Sequence, residues 1–429
     1  MGRTLPSRVF GTNRGGASMT SSDTLFLQIL NCALRGQAFK EEVAPTAEEI
    51  KALLTRAEEH KVLPLVFDTI YPCKFLQVAD KEFLSKCKQR SLDWVIRQLQ
   101  QTNESLNLIE HLKQNGLEPI VMKGMVCREL YPKPYLRYSV DEDFLIPPEQ
   151  IEQYHQLLLA EGMYADRPDA NLEEEYELSY HKEKSPLYIE LHKSPFPTNS
   201  GAFDRWNTFY YNAFKNSVQV KIQDLQVRTL EPTEHLLFLI LHAFKHFLFS
   251  GFGIRQVCDI LIFSEKYGAE IDWKSVMQRC REVKANLFAA AIYKIGAKYL
   301  GFDDARPHLP DSWESRNVDE GPLLTDILIG GLYGISQANR VHSSNITLNA
   351  VEGKKRHTLF GGILHSLFPP MDYMRNLYPY LKRLPFLLPL AWCSRIVQYL
   401  YSRKGGSNAM DSVRIGKERL ALLKRYEVI

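Results

Sequence analysis

The stretch Leu136-Arg137-Tyr138-Ser139-Val140-Asp141-Glu142-Asp143-Phe144-Leu145-Ile146 decides how this chain is read. Three acids run directly into an apolar segment with the composition of a buried strand. An isolated buried charge is costly, so these carboxylates are either solvated at a turn or compensated by a cation. Residues two apart in a strand share a face and stand roughly 6.5–7 Å apart. That parity groups Asp141 with Asp143 and sends Glu142 to the side of Phe144 and Ile146. Two carboxylates so spaced suit a hard divalent cation. Glu142 must then be exposed at the strand end or paired with a base such as Lys123 or Arg128.

Further along, Leu187-Tyr188-Ile189-Glu190-Leu191-His192-Lys193 alternates strictly. Leu187, Ile189 and Leu191 fall on one face, and Glu190 falls on the polar face with Tyr188 and His192. A third acid is thereby available from a second strand. Upstream, residues 118–124 read as a short strand ending in a glycine turn, followed by a helical segment that stops at Pro132. Lys123 and Gly124 sit at that junction, a place where backbone N–H groups favour an anion. A lone Lys-Gly pair favours a plain turn; followed by Asp141-x-Asp143 it reads as a phosphate site beside a metal site.

The surrounding pattern gives an α+β fold: a small mixed-sheet core flanked by N-terminal helices and a large all-helical C-terminal region. Residues 1–23 read as a disordered leader and 24–117 as helical, with Thr46 as a cap and Glu48 and Glu49 in the first turn behind it. Residues 118–230 form the α/β core, including an antiparallel pair at 176–182 and 187–193 and a helix entered through Pro148 and closed by Gly162. Residues 231–429 are helical, with polar gaps at about 307–319 and 343–357. The aromatic run Arg205 to Phe214 has the spacing of a core helix.

Composition excludes several classes. A net charge of +3 over 429 residues gives nucleic acid no special support. Seven cysteines, none in a CxxC pair, argue against a disulfide framework or a zinc ribbon and for a reducing, cytoplasmic setting. The apolar stretch Leu384 to Tyr401 is interrupted by Pro385, Pro389 and Arg395 and falls short of the ~20 residues of a membrane span. It reads as a buried helix, with peripheral membrane contact through 384–404 as the alternative.

Taken in order, residues 122–146, Ile189-Glu190-Leu191-His192, residues 230–246 and residues 254–260 resemble the uncharacterised nucleotidyltransferase family of the DNA polymerase β-like superfamily. The resemblance covers about residues 30 to 310 and extends weakly into the tail at 367–392. Its pattern is a Lys-Gly turn, a Tyr-Pro-x-Pro loop, an Arg, Asp-x-Asp, Glu-Leu-His and a helix with paired histidines. The resemblance implies transfer of an NMP from an NTP to an acceptor, with release of pyrophosphate. Asp141 and Asp143 match the metal-binding pair and Glu190 the third acid, making these three the catalytic and metal-ligating set for Mg²⁺ or Mn²⁺. Lys123, Gly124 and Arg137 match positions near the nucleotide phosphates, and His242, His246 and Asp259 match positions over the nucleotide. The acceptor, whether small molecule, protein or RNA, stays open, as do the base and the oligomeric state. Val140 and Glu142 depart from the pattern.

His235, His242 and His246 stand at i, i+7 and i+11, on one helix face. They could line a cleft, bind a metal or simply pack on a helix flank, and no acid or Cys completes a zinc set. Two other functions fit Asp-x-Asp less well: a glycosyltransferase using a sugar nucleotide, which lacks its Rossmann-type series here, and a non-enzymatic helical protein binding nucleotide or a partner.

Overall fold

The structure, a computed structural model, describes residues 19–40, 44–198, 201–249, 251–302, 318–330, 368, 371, 374, 378–382, 384–402 and 419–429. Side-chain caps start the N-terminal helices α1 (Ser21–Leu34), α2 (Ala47–Glu59) and α4 (Lys81–Gln114), with α3 (Leu63–Ile70) between the last two. Thr20 and Thr46 each close a capping box, with Asp23 and Glu49 reaching back to the cap backbone. Asp80 accepts from the Phe83 N–H at the start of α4. Helix α1 begins inside the segment assigned to the leader, because Thr20 and Asp23 cap it there; residues 1–18 lie outside the described residues.

The sheet has seven strands: β1 (Ile120–Val121), β2 (Glu142–Leu145), β3 (Met163–Ala165), β4 (Glu177–Lys182), β5 (Tyr188–His192), β6 (Val218–Ile222) and β7 (Leu225–Thr229). Their order is β3-β4-β5-β2-β1-β7-β6. Strand β2 runs parallel to β5 and β1 parallel to β7, while the other neighbours are antiparallel. The sheet is therefore mixed, as expected. Edge strand β3 was not anticipated: it is three residues long, too short to show an alternation. Helices α5 (Met125–Arg128), α6 (Ile151–Ala160), α7 (Gly201–Thr208) and α8 (Ala213–Asn216) connect the strands. Beyond the sheet come α9 (Pro232–Phe249), α10 (Ile254–Tyr267), α11 (Trp273–Glu282), α12 (Asn286–Tyr299), α13 (Gly321–Gly330) and α14 (Leu388–Ser402).

Two cores sandwich the sheet. On one face, Val121, Phe144, Ile146, Ile189 and Leu191 pack with Leu106, Ile109 and Leu112 of α4 and with Ile151, Tyr154 and Leu158 of α6. On the other, Ile120, Met122 and Leu145 join the N-terminal helices and α9 to α12 in a single cluster. The N-terminal and C-terminal helical regions thus share one core. Of the aromatic run, Trp206 and Tyr210 are buried in it, Phe209 and Phe214 pack against it partly buried, and Tyr211 is exposed; the one core helix expected there is two short helices, α7 and α8, parted by a turn at 209–212.

At the C-terminal end, Met374, Leu381 and Ala391 form a small separate cluster, and Leu384, Phe386 and Leu390 are exposed. No helix among the described residues is long and apolar enough to cross a membrane. Of the expected polar gaps, 303–317 and 331–367 lie outside the described residues, as do Arg403 and Lys404 of the suggested membrane-contact stretch.

Candidate active site

The parity of β2 divides its acids between the two cores. Glu142 goes with Phe144 toward α4, and Asp143 goes with Leu145 toward the helical region. Both are buried.

On the α4 side, Glu142 is fully neutralised. One carboxylate oxygen pairs with the Arg128 guanidinium, and the other accepts from the Met125 N–H at 2.8 Å. Arg128 in turn donates to Thr102 Oγ1 of α4 at 3.2 Å. The departure from the family pattern is therefore a buried ion pair that locks the start of α5 against β2. Gly124 makes room for it: its φ is +55°, and a Cβ there would stand 1.9 Å from Glu142 Oε2. The first N–H of α5 is thus spent on Glu142. A backbone donor expected for an anion instead holds the Lys123–Gly124 turn.

The loop leading into β2 hangs on a polar stripe of α4. Gln98 Oε1 accepts from the Ser139 N–H at 2.7 Å, and Gln101 donates to the Val140 carbonyl at 2.9 Å. These bonds explain why α4 buries Gln98 and Gln101, and they fix the backbone from which Asp141 projects.

On the opposite side, charge collects. The parallel register places Asp143 directly beside Glu190. Lys123 Nζ lies 3.1 Å from Asp143 Oδ1 and 3.5 Å from Asp141 Oδ2. His192, two residues past Glu190 on the same face, puts Nε2 3.3 Å from Asp143 Oδ1 and 3.6 Å from Glu190 Oε2. One ligand atom from each of Asp143, Glu190 and His192 falls within 4.8 Å of the other two. Asp141 lies outside that trio and meets the site through Lys123.

The electrostatics follow from this crowding. Burial alone would raise the Asp143 carboxyl's pKa, but Lys123 and His192 outweigh it and hold the carboxyl well below the usual range. Burial likewise works against protonated Lys123 and His192. The surrounding carboxylates win at both, raising Lys123 and pushing the His192 imidazole up to about 9. For Glu190, burial raises the pKa, and Asp143 and Asp141 add to the rise against the pull of His192.

Helix α9 roofs this cluster. His242 Nε2 lies 3.3 Å from Lys123 Nζ, and the His242 and His246 rings meet edge to face at 4.6 Å between centroids. Burial lowers the pKa of both, to about 3 for His246. His235 is elsewhere, buried beside Phe263 with Nδ1 3.3 Å from Thr229 Oγ1. The three histidines share an angular face, yet seven residues is about 10.5 Å along the axis, enough to pass from the acid cluster to the core beside Phe263.

Arg137 does not reach the acid cluster. Its guanidinium forms a two-pronged pair with Asp259 of α10 at 2.9 and 2.7 Å and donates to the Gly124 carbonyl at 3.3 Å. Tyr131 Oη completes the arrangement, donating to Asp259 Oδ1 at 2.7 Å. Burial would raise the Asp259 carboxyl's pKa, but Arg137 holds it below the ordinary value. Arg137 and Asp259 thus fasten the helical region to the turn that carries Lys123. Arg255, one turn before Asp259 on α10, donates to the Tyr138 carbonyl.

The alternation that selects Glu190 also puts His192 on the same face, and the structure brings its ring into the cluster. Concavity is a poorer guide: a polar cleft of about 620 Å³ lined by Arg205, Phe209, Lys274 and Arg279 contains none of the cluster. Among the described residues, Asp143 Oδ2 and both ring nitrogens of His192 are buried without a hydrogen-bond partner. Buried polar atoms are rarely left so, and these are of the types that ligate a cation.

No curated protein and no solved structure matches the chain. Residues 46–301, from the cap of α2 through α12, match the family described as uncharacterised nucleotidyltransferase; this is well over half of the sequence, and the chain belongs to that family.

Proposed function

We propose that the cluster of Asp141, Asp143 and Glu190 is the catalytic centre of an NTP-dependent nucleotidyl transfer supported by Mg²⁺ or Mn²⁺. The observation that carries this reading is the parallel pairing of Asp143 with Glu190 beside Lys123, with buried ligand-type atoms left unpartnered. Asp141, Asp143 and Glu190 would hold the metal. Bound there, a divalent cation neutralises the carboxylates and polarises the phosphates, which is the chemistry this transfer requires.

The chain's own groups do the remainder. Lys123, released from Asp141 and Asp143, carries its ammonium to the β- and γ-phosphates. His242 and His246 line the approach from α9 and exclude water from one side. Arg137 and Asp259 hold the Lys123–Gly124 turn in position. Glu190, whose carboxyl pKa burial and the neighbouring Asp143 raise above the ordinary value, accepts the proton of the acceptor hydroxyl as its oxygen attacks the α-phosphorus. The bond from the α-phosphorus to the bridging oxygen breaks, and pyrophosphate leaves.

Incubation with each α-labelled NTP, with UDP-sugars as controls, and with Mg²⁺ or Mn²⁺ tests this reading against its rivals. Label transfer with pyrophosphate release supports it. Sugar transfer, or no turnover of any nucleotide, would replace it with the glycosyltransferase or the binding-protein alternative.

A further inference from the structure

Resting on that reading of the site, we infer that His192 is a direct metal ligand alongside Asp143 and Glu190, so that the site takes a first-row transition ion of the Mn²⁺ type in preference to Mg²⁺.

Three observations carry this. The ring nitrogen Nε2 faces the two carboxylates at 3.3 and 3.6 Å, and the three donors lie within 4.8 Å of one another. His192 is 3% exposed and Asp143 1%, and both ring nitrogens and Asp143 Oδ2 have no hydrogen-bond partner. On the far side of the ring, Nδ1 looks toward Glu177 Oε2 at 3.8 Å. Glu177 is the cross-strand partner of His192 in the β4–β5 register. Glu177 thus lies on the side from which an outer carboxylate supports an imidazole ligand, within ion-pair range of Nδ1 but not hydrogen-bonded to it.

The donor chemistry selects among ions. Mg²⁺ demands oxygen donors and keeps much of its water, and a buried imidazole offers it little. Divalent transition ions accept imidazole nitrogen together with carboxylate oxygen.

Pulsed EPR of Mn²⁺ added to the full chain without nucleotide, combined with Mg²⁺ competition, tests the inference. Nitrogen coupling from a directly bound histidine is expected, with Mn²⁺ preferred over Mg²⁺ by about 10-fold or more. His192→Gln should abolish the coupling and weaken Mn²⁺ by about 10-fold or more while changing Mg²⁺ little. His242→Asn and His246→Asn should leave the coupling in place. Wild-type protein that binds no Mn²⁺, binds it without nitrogen coupling, or loses the coupling only in an α9 variant would overturn the assignment. The two readings also fail separately. Nitrogen-coupled Mn²⁺ without any nucleotidyl transfer would remove the proposed function alone, and transfer with uncoupled Mn²⁺ would remove the ligand assignment alone.

Discussion

Glu142 and Asp143 are neighbours in one four-residue strand, both buried, and they meet opposite fates. Glu142 is closed: Arg128 balances its charge and the Met125 N–H takes its second oxygen. Asp143 is open: it shares Lys123 with Asp141, lies beside Glu190, and keeps one oxygen without a partner. The difference teaches that burial of a carboxylate is not by itself a functional signal. What separates scaffold from site is whether the chain supplies the compensating charge in full. Helix α9 spans both settings, with His235 buried beside Phe263 and His242 and His246 near Lys123.

The largest effect should come from breaking the closed side. Arg128→Met leaves Glu142 buried without its cation and should cost about 3–5 kcal/mol in urea denaturation. Adding Glu142→Gln to that variant should recover part of the loss, because the uncompensated charge is then gone. A loss under about 1 kcal/mol in the single variant would mean the pair is not what closes this face.

Gly124→Ala should come next, at about 2–3 kcal/mol by thermal melting, since its Cβ would meet Glu142 Oε2 at 1.9 Å and the backbone φ is +55°. If the Ala variant melts with the wild type, Glu142 does not pack against this turn.

His235 supplies a pH test of the same contrast. Burial lowers its pKa to about 3, below the ordinary 6.5, so the unfolded chain takes up the proton first. The stability from its neutral ring is complete above the unfolded value and is lost as pH falls from there toward about 3. Between pH 8 and pH 5 this group should account for about 2 kcal/mol of lost stability. His235→Asn should flatten the pH profile by that amount, and an unchanged slope would place the ring in contact with water.

Smallest in stability should be Asp141→Asn, because its side chain is 25% exposed and touches the cluster only through Lys123. A change below about 1 kcal/mol is expected, although activity should disappear. Destabilisation as large as that of Arg128→Met would make the open side a structural network too.

Much of this was legible in the sequence, for physical reasons. Period-two alternation sorted Asp141 and Asp143 from Glu142 and placed Glu190 and His192 together, because a strand has no other way to arrange successive side chains. Capping residues and the mixed sheet followed from equally local rules. What escaped depends on distance along the chain or depth along an element. Arg137 meets Asp259 across 122 residues, so no spacing rule joins them, and its brace on the Gly124 carbonyl could not be read from the sequence. The row of three histidines has the right angle throughout, but helix geometry says nothing of where the cleft ends. The two candidate bases for Glu142 were both within reach in sequence, and only the packing of α5 on β2 chose Arg128.

The activity proposed for the open face is nucleotidyl transfer. Its most direct test is label transfer from α-labelled NTPs, with cell extract as a source of acceptors, by wild-type protein, Asp141→Asn and Asp143→Asn, each confirmed folded by circular dichroism. Transfer with pyrophosphate release is expected of the wild type, with a loss of about 100-fold or more in both variants. Full activity in both folded variants would contradict it.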